Sequence, residues 1–241
     1  MNDFTFSYPT KVYFGKGAAA KNLPAELAKA GKNVMLAYGG GSIKANGIYE
    51  EMMAILKEAG KNVTEFPGIM PNPTYEKVQE GAALAKEEKI DFILAVGGGS
   101  VSDCCKIIAS QAVTQEDIWE MEFTKHQFPT EALPLGVVVT ASGTGSEQNA
   151  GAVITNEEKK IKTGVFGAHA DFAILDPQYT RSVPFGQVIS GAFDTLSHAM
   201  ETYFGNPQES FLSDEINEAV MRNTIYNIRK LVKNPQDMEA R

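Results

Sequence analysis

Short apolar runs alternate with amphipathic stretches along the chain up to about residue 183. Three runs have the continuous apolar character of strands buried on both faces, at 34–38, 92–96 and 135–139. Helical periodicity fills the intervals and predicts helices over 18–30, 44–59, 73–89 and 101–111. Strands and helices that alternate in this way predict an α/β fold with a doubly wound, mostly parallel sheet.

The pattern changes twice outside this alternation. Further strands are predicted at 62–66, 152–155, 160–166 and 172–175, and residues 4–14 have the alternation of a small hairpin or edge pair. From Pro184 onward the pattern is helical, over 184–204 and 209–232, with no strand among them. The sequence therefore predicts an α/β domain at 1–183, followed by an all-helical domain at 184–241.

A glycine run follows the strand at 92–96. Gly97, Gly98 and Gly99 allow backbone N–H groups to approach a ligand, and Ser100 is suited to cap the helix after it. A strand, a glycine turn and a helix N-terminus together favour an anion such as phosphate. The alternative is a tight turn that binds nothing, because neither G-x-G-x-x-G nor a Walker motif is present.

The same pattern occurs a second time, where the strand at 34–38 runs into Gly39-Gly-Gly-Ser42. In doubly wound sheets, ligands lie at the carboxyl ends of the strands, near the point where the strand order reverses. Two glycine turns at strand ends could therefore border one long ligand. Coincidence of two common turns is the alternative interpretation.

Composition narrows the class of protein. The net charge of −8 argues against a broad nucleic-acid-binding surface. Cys104 and Cys105 are adjacent and form neither a secreted-type framework nor a C-x-x-C pair, which favours a reducing cytoplasm. No stretch approaches the ~18 apolar residues of a membrane span. A cytoplasmic protein without a nucleic-acid or membrane partner is expected.

An acid and a histidine share one side of the helix predicted over 184–204. Asp194 and His198 are four residues apart, so both side chains can reach one point beside the helix. A carboxylate and an imidazole at this spacing make half of a site for a first-row divalent metal. The simpler alternative is a solvated polar face with a weak ion pair.

Five segments in this order match one family: 39–44, 97–103, 140–147 with Asn149, 175–177 and 194–198. Together they make the chain resemble the iron-containing (group III) alcohol dehydrogenases, and within them the NADPH-dependent butanol dehydrogenase and aldehyde reductase branch. The resemblance covers residues 1–241. It implies a Rossmann-like dinucleotide-binding domain, a helical metal-binding domain, and a cleft between them. It also implies hydride transfer between NAD(P)(H) and a primary alcohol or its aldehyde, with Fe²⁺ or Zn²⁺ polarising the oxygen.

The resemblance assigns roles to individual residues. The pyrophosphate would be held by Gly97, Gly98, Gly99 and Ser100, and the adenosine ribose by Gly39, Gly40 and Ser42. Asp103 would lie on the nicotinamide side, and the predicted catalytic residues are Asp103 and His198. The rest of the cofactor would be lined by Thr140, Thr144, Asn149, Lys160 and Tyr179. The metal ligands would be Asp194 and His198.

The turn at 38–44 favours NADP(H) over NAD(H). Sites that prefer NAD usually place a carboxylate on the ribose 2′-OH. This turn contains no carboxylate, but Ser42 offers a hydroxyl and Lys44 a cation to a 2′-phosphate. We expect a homodimer, because an exposed edge strand can pair across a two-fold axis.

The chain departs from the family in its metal ligands. The family adds two histidines from later helices, whereas the remaining histidines here, His126 and His169, match neither position. We therefore expect a helical domain that is truncated. This leaves open an alcohol dehydrogenase or aldehyde reductase, a fragment that binds dinucleotide without turnover, a zinc enzyme of the glycerol dehydrogenase type, and a phosphate-binding regulatory module.

Overall fold

A computed structural model describes residues 7–205 and 211–241. The strands in this part of the chain are β1 (Lys11–Phe14), β2 (Asn33–Tyr38), β3 (Asn62–Phe66), β4 (Phe92–Gly97), β5 (Leu135–Val139), β6 (Gly151–Asn156), β7 (Ile161–Phe166) and β8 (Phe172–Leu175). The helices are α1 (Ala18–Leu27), α2 (Ser42–Ala45), α3 (Ile48–Glu58), α4 (Tyr75–Glu87), α5 (Gly99–Gln111), α6 (Ile118–Phe123), α7 (Phe185–Tyr203) and α8 (Phe211–Lys233). Short 3₁₀ turns lie at Ser146–Gln148 and Pro177–Ser182.

Six strands form one parallel sheet in the order β1-β8-β5-β4-β2-β3. Strands β6 and β7 form a separate antiparallel pair. Helices connect the successive strands from β1 to β5, whereas β5 reaches β8 through the segment that contains β6 and β7. This arrangement confirms the predicted fold class, a doubly wound and mostly parallel α/β sheet.

The sheet is buried on both of its faces, which explains the continuous apolar runs. Every residue of β4 and of β5 is buried. Successive side chains of a strand point to opposite faces, so Ile93 and Ala95 pack towards α4 and α5 in the main apolar cluster. The other face also meets apolar helix residues, since Leu23 of α1 and Met52 of α3 are fully buried.

The chain divides into two compact units. The first contains residues 1–139 and 146–176, and it holds the sheet. The second contains residues 140–145 and 177–241, with α7 and α8. The predicted division after residue 183 stays a prediction, because a contact-based unit is not by itself an independently folding domain. Among the described residues, no helix is both long and apolar enough to span a bilayer.

Two predicted helices begin or continue differently in the structure. The helix predicted over 44–59 is interrupted between α2 and α3, because Gly47 adopts a left-handed conformation with φ 83°. The helix predicted to start at Pro73 begins instead at Tyr75. Thr74 is its N-cap, and its hydroxyl accepts a hydrogen bond from the Lys77 amide at 3.2 Å. In both cases the local cap decided the boundary.

The second strand of the hairpin or edge pair predicted over 4–14 is β1, which lies at one end of the strand order among the described residues. Strand β1 pairs in parallel with β8, and Lys11 lies opposite Phe172. The other half, Phe4–Tyr8, falls mostly on residues 1–6, outside the described residues. The pairing of Phe4–Tyr8 with β1 therefore stays a prediction.

Candidate functional site

The two glycine turns lie side by side at the point where the strand order reverses. From β2 the chain passes to β3 on one side, and from β4 it passes to β5 on the other. Tyr38 and Val96 are register partners, so the glycines that follow them leave adjacent strands at the same edge. The crevice at such a switch point is where open α/β sheets bind ligands. The predicted proximity of the two turns is confirmed.

The turn after β4 requires glycine at its first position. A Cβ on Gly97 would lie 2.4 Å from Cγ2 of Val101, a distance at which the helix could not pack so close to the strand end. Only an unsubstituted α-carbon therefore lets α5 start directly above β4. This close approach places the N-terminus of α5 at the switch point.

The start of α5 differs from the prediction that Ser100 would cap it. The helix begins at Gly99, and Gly98 is its N-cap in an extended conformation. The first helical hydrogen bonds run from the amides of Val101 and Ser102 to the Gly98 carbonyl. No side chain caps this end, so the amides of Gly99 and Ser100 precede the first helical bond. Such an end of a 13-residue helix favours an anion.

The turn after β2 is accompanied by a carboxylate that its own sequence does not contain. Glu65, on the neighbouring strand β3, accepts hydrogen bonds from the hydroxyls of Tyr38 and Tyr49. The Lys44 ammonium lies 3.4 Å from Oε2 of Glu65 and 4.4 Å from the ring centroid of Tyr49. The hydrogen bond from Tyr38 lowers the pKa of the Glu65 carboxyl, so it is ionised at neutral pH. The argument from the turn itself considered only residues 38–44, and the tertiary structure adds a carboxylate to these surroundings.

Asp103 binds the segment that follows the loop at 140–145. Its Oδ1 accepts a hydrogen bond from the Ser146 hydroxyl, and its Oδ2 accepts one from the Val153 amide at 3.0 Å. The Lys106 ammonium is 3.6 Å from Oδ1. These are the contacts of a residue that orders a neighbouring segment. A catalytic role for Asp103 stays a prediction.

Lys106 was not recognised as a site residue from the sequence. It is fully buried, and its ammonium donates hydrogen bonds to the carbonyls of Ser146, Asn149 and Gly151. It also donates to the side-chain oxygen of Asn149 at 3.2 Å. A lysine in a helical pattern is usually exposed, so the sequence provided no reason to single it out.

The other residues predicted to line the cofactor in the first unit lie at different places. Asn149 is exposed and lies beside Lys106. Lys160 is exposed in the turn between β6 and β7, at a left-handed φ of 54°. On β7 itself, Lys162 donates a hydrogen bond to the Asn72 side chain at 2.6 Å. The cofactor roles of Asn149 and Lys160 stay predictions.

In the second unit, the loop at 140–145 packs on the helix turn that carries Asp194. A Cβ on Gly191 would lie 2.3 Å from the Ser142 carbonyl oxygen, so this contact requires glycine. The Thr195 hydroxyl donates to the Gly143 carbonyl at 3.2 Å, and Asp194 Oδ2 lies 3.4 Å from the position of a Cβ on Gly143. The loop that contains Thr140 and Thr144 is thereby held next to the predicted metal ligands.

Asp194 and His198 converge as their spacing predicts. Their nearest donor atoms, Oδ2 and Nε2, are 3.8 Å apart, and both side chains are about half exposed. Two ligands of a tetrahedral Zn²⁺ or Fe²⁺ ion at about 2.1 Å lie about 3.4 Å apart, so a small rotamer adjustment brings both onto one ion. Within residues 7–205 and 211–241, no third His, Cys, Asp or Glu joins them. The pair fits half of a coordination shell.

Tyr179 is buried in the second unit, where a cavity of about 180 Å³ lies between residues 141–142, α7 and α8. Ligand pockets are usually ~300–1,000 Å³. This cavity is too small for a dinucleotide, and the role of Tyr179 towards the cofactor stays a prediction.

The remaining histidines and cysteines do not add ligands. His126 and His169 are exposed in loops, as expected. Cys104 and Cys105 are buried free thiols on α5, and burial raises the pKa of Cys104 to about 12. Neither cysteine is available as a thiolate.

A doubly wound sheet with two glycine turns at its switch point is the arrangement of a nucleotide-binding α/β protein. The chain belongs to the iron-containing alcohol dehydrogenase family. The family profile "Iron-containing alcohol dehydrogenase" matches residues 9–177, and the profile "Fe-containing alcohol dehydrogenase family, C-terminal" matches residues 188–241. This confirms the predicted family, which is one of oxidoreductases.

Similar proteins use either nicotinamide cofactor, according to their names. The chain is 45% identical to a probable NADH-dependent butanol dehydrogenase 1 of Bacillus subtilis and 39% identical to the NADPH-dependent aldehyde reductase YqhD of Escherichia coli. Each match covers 100% of this chain and 62% of the relative. The crystal structure of NADH-dependent butanol dehydrogenase A from Thermotoga maritima superimposes with a TM-score of 0.90 at 40% identity, over 100% of this chain and 60% of that one. The chain thus spans about 60% of the length of these relatives.

Proposed function

We propose that the protein interconverts a primary alcohol and its aldehyde by hydride transfer with a nicotinamide dinucleotide. The observation that supports this most is the pair of glycine turns on adjacent strands at the switch point. Relatives named as butanol dehydrogenases and aldehyde reductases support the same reaction class.

In this proposal, the backbone amides at the start of α5 bind the pyrophosphate, and the turn at 39–42 faces the adenosine ribose. The first contact uses unpaired donors and the helix dipole, which act without a basic side chain. The nicotinamide, when bound, supplies or accepts the hydride. Asp103 would lie on the nicotinamide side, where its carboxylate accepts hydrogen bonds from the Ser146 hydroxyl and the Val153 amide.

The proposed cofactor is NADP(H) rather than NAD(H). Ser42 and Lys44 offer a hydroxyl and a cation to a 2′-phosphate, and the NADPH-dependent relative supports this choice. The relatives named as NADH-dependent and the carboxylate of Glu65 favour NAD(H) instead. The preference is therefore expected to be modest.

Asp194 and His198 are the proposed metal ligands. The family name supports Fe²⁺, and a carboxylate with an imidazole also suits Zn²⁺. The ion, when bound, would act as a Lewis acid on the substrate oxygen. We further propose a homodimer in the cytoplasm, without nucleic-acid or membrane partners. Strand β1, which is an edge strand of the sheet formed by the described residues, supports pairing between copies.

A second candidate function follows from the same two metal ligands, Asp194 and His198. Two protein ligands hold a catalytic ion weakly, since catalytic zinc sites normally have three. With two such ligands among the described residues, the protein could bind dinucleotide without turning over substrate.

One experiment separates the candidates. NADPH binding is measured by calorimetry, and butanal reduction is followed through the loss of NADPH, with and without added Fe²⁺ or Zn²⁺. Metal-stimulated turnover that is lost in Asp194→Asn and kept in Glu201→Gln, an exposed position on the same helix, supports the oxidoreductase. Binding without turnover under any metal condition supports the second candidate. A protein that binds neither NADPH nor NADH contradicts both.

A further inference from the structure

Lys106 is a buried cation in the core of a nucleotide-binding unit. Its relative exposure is 0%. Burial of an ammonium is strongly unfavourable unless hydrogen bonds and an opposite charge compensate for the lost water. The groups that compensate for the buried charge therefore indicate which part of the protein Lys106 stabilises.

All but one of these groups belong to a single short segment. The acceptors are the carbonyl of Ser146 at 2.7 Å, the carbonyl and the side-chain oxygen of Asn149 at 3.2 Å each, and the carbonyl of Gly151. The other group is the carboxylate of Asp103, one helical turn away on α5. Lys106 thus fastens the 146–151 segment to the helix whose N-terminus forms the glycine turn.

The contact with Asn149 also fixes the direction of its amide. An ammonium can only donate hydrogen bonds, so the oxygen of the Asn149 side chain must face it. The NH₂ group then lies on the side away from Lys106, on a residue that is exposed. A ligand group that meets this amide is therefore a hydrogen-bond acceptor, as the oxygens of a dinucleotide are.

We propose that Lys106 is a positioning residue for dinucleotide binding, which acts by fixing the Asn149 amide and the 146–151 segment against α5. The inference rests on the proposed function, because it presumes that a dinucleotide binds at the switch point. It goes beyond that function in assigning a role to a residue that does not touch the ligand. A purely structural role is the alternative.

Coupling to Asn149 distinguishes the two roles. Lys106→Met, Asn149→Ala and the double variant are compared for NADPH and NADH dissociation constants and for urea unfolding, with the exposed Lys86→Met as the matched control. Each single variant is expected to weaken dinucleotide binding, Lys106→Met by about 10- to 100-fold, because small displacements of binding groups have large effects. The double variant should bind dinucleotide only slightly more weakly than the weaker-binding single variant, because both changes remove the same contact. The control should bind like the wild type.

Three outcomes would overturn the inference. If Lys106→Met is destabilised but binds both dinucleotides as the wild type does, the role of Lys106 is purely structural. Additive losses in the double variant would show that Lys106 does not act through Asn149. A wild type that binds no dinucleotide would instead overturn the proposed function, and the inference with it.

A measurement on unaltered Lys106 covers the case in which Lys106→Met does not fold. Burial lowers the pKa of Lys106 to about 8, opposed by Asp103 on its own helix and by Glu147 on the facing segment. NADPH affinity of the wild type should therefore fall as the pH rises from about 7 to about 9, because the ammonium loses a proton and one hydrogen bond. In Asn149→Ala the fall should be smaller. Equal pH profiles for the two proteins would contradict the proposal.

Discussion

Replacement of Lys44 by methionine tests whether the turn after β2 distinguishes the two nicotinamide cofactors. Lys44 is the cation of this turn, and a 2′-phosphate distinguishes NADPH from NADH. The variant should therefore bind NADPH more weakly and NADH as the wild type does. Methionine keeps an unbranched side chain but also removes the cation–π contacts that the ammonium makes with the rings of Tyr38 and Tyr49.

The structure limits the size of this effect. The Lys44 side chain is 47% exposed, and its ammonium already lies 3.4 Å from the Glu65 carboxylate. Exposed charges are screened by water and salt, and a pre-existing partner must be partly given up to the phosphate. We expect the NADPH-to-NADH preference to fall by about three- to tenfold in Lys44→Met.

Glu65→Gln is the opposite perturbation at the same place. Glutamine can still accept from the tyrosine hydroxyls, but it no longer neutralises Lys44 or repels a phosphate. NADPH binding should become about threefold tighter at low salt, and this gain should shrink at high salt. Dissociation constants for both cofactors, measured by nucleotide fluorescence at two salt concentrations, provide the test, with the exposed Lys57→Met as control. Equal changes for NADH and NADPH, or a wild type without preference, would refute the reasoning.

Three further expectations follow from the packing of the first unit. Gly97→Ala should lower the free energy of unfolding by about 1–3 kcal/mol through overpacking, and it should also weaken dinucleotide binding. Gly164→Ala should do neither, because the space around its Cβ is open. Equal effects of the two changes in urea titrations would contradict this reasoning. Because the pKa of Lys106 is lowered to about 8, the folded state binds fewer protons than the unfolded state above that pH. The free energy of unfolding of the wild type, relative to Lys106→Met, should therefore rise by roughly 2–3 kcal/mol as pH increases from about 8 to about 10.5. If the free energies of unfolding of the two proteins change with pH in parallel, this expectation is wrong. Cys104 and its neighbour should react with a thiol reagent only on unfolding, because both are buried and the pKa of Cys104 is raised to about 12; rapid labelling of the native protein would show that α5 opens.

The sequence predicted the parts of the fold that depend on local pattern. The strands β2, β4 and β5 were found because both of their faces are buried, which makes the apolar run continuous. The two glycine turns were found because three consecutive glycines directly after a buried strand are typical of a backbone that must turn sharply there. The spacing of Asp194 and His198 predicted their convergence, since residues four apart share a helix face.

What the sequence could not predict depended on tertiary partners. Glu65 lies more than twenty residues from the turn it modifies, and it reaches that turn only because β3 is the neighbour of β2. Lys106 is in a helix of ordinary composition, and its burial follows from a segment that folds over α5 from beyond β5. The caps at Gly98 and Thr74 moved helix starts by one or two residues, which periodicity does not resolve.

These two missed residues explain features that the glycine turns alone leave open. A glycine turn binds phosphate through its backbone, and such binding is equally suited to any nucleotide. Selection therefore has to come from side chains brought to the two ends of the crevice. Lys44 with Glu65 lies at the turn after β2, and Asn149 with Lys106 lies beside α5. At each end a side chain that we propose faces the ligand is paired with a residue that affects its charge or direction. Changes to Glu65 and Lys106 are therefore expected to alter cofactor choice or affinity without removing binding.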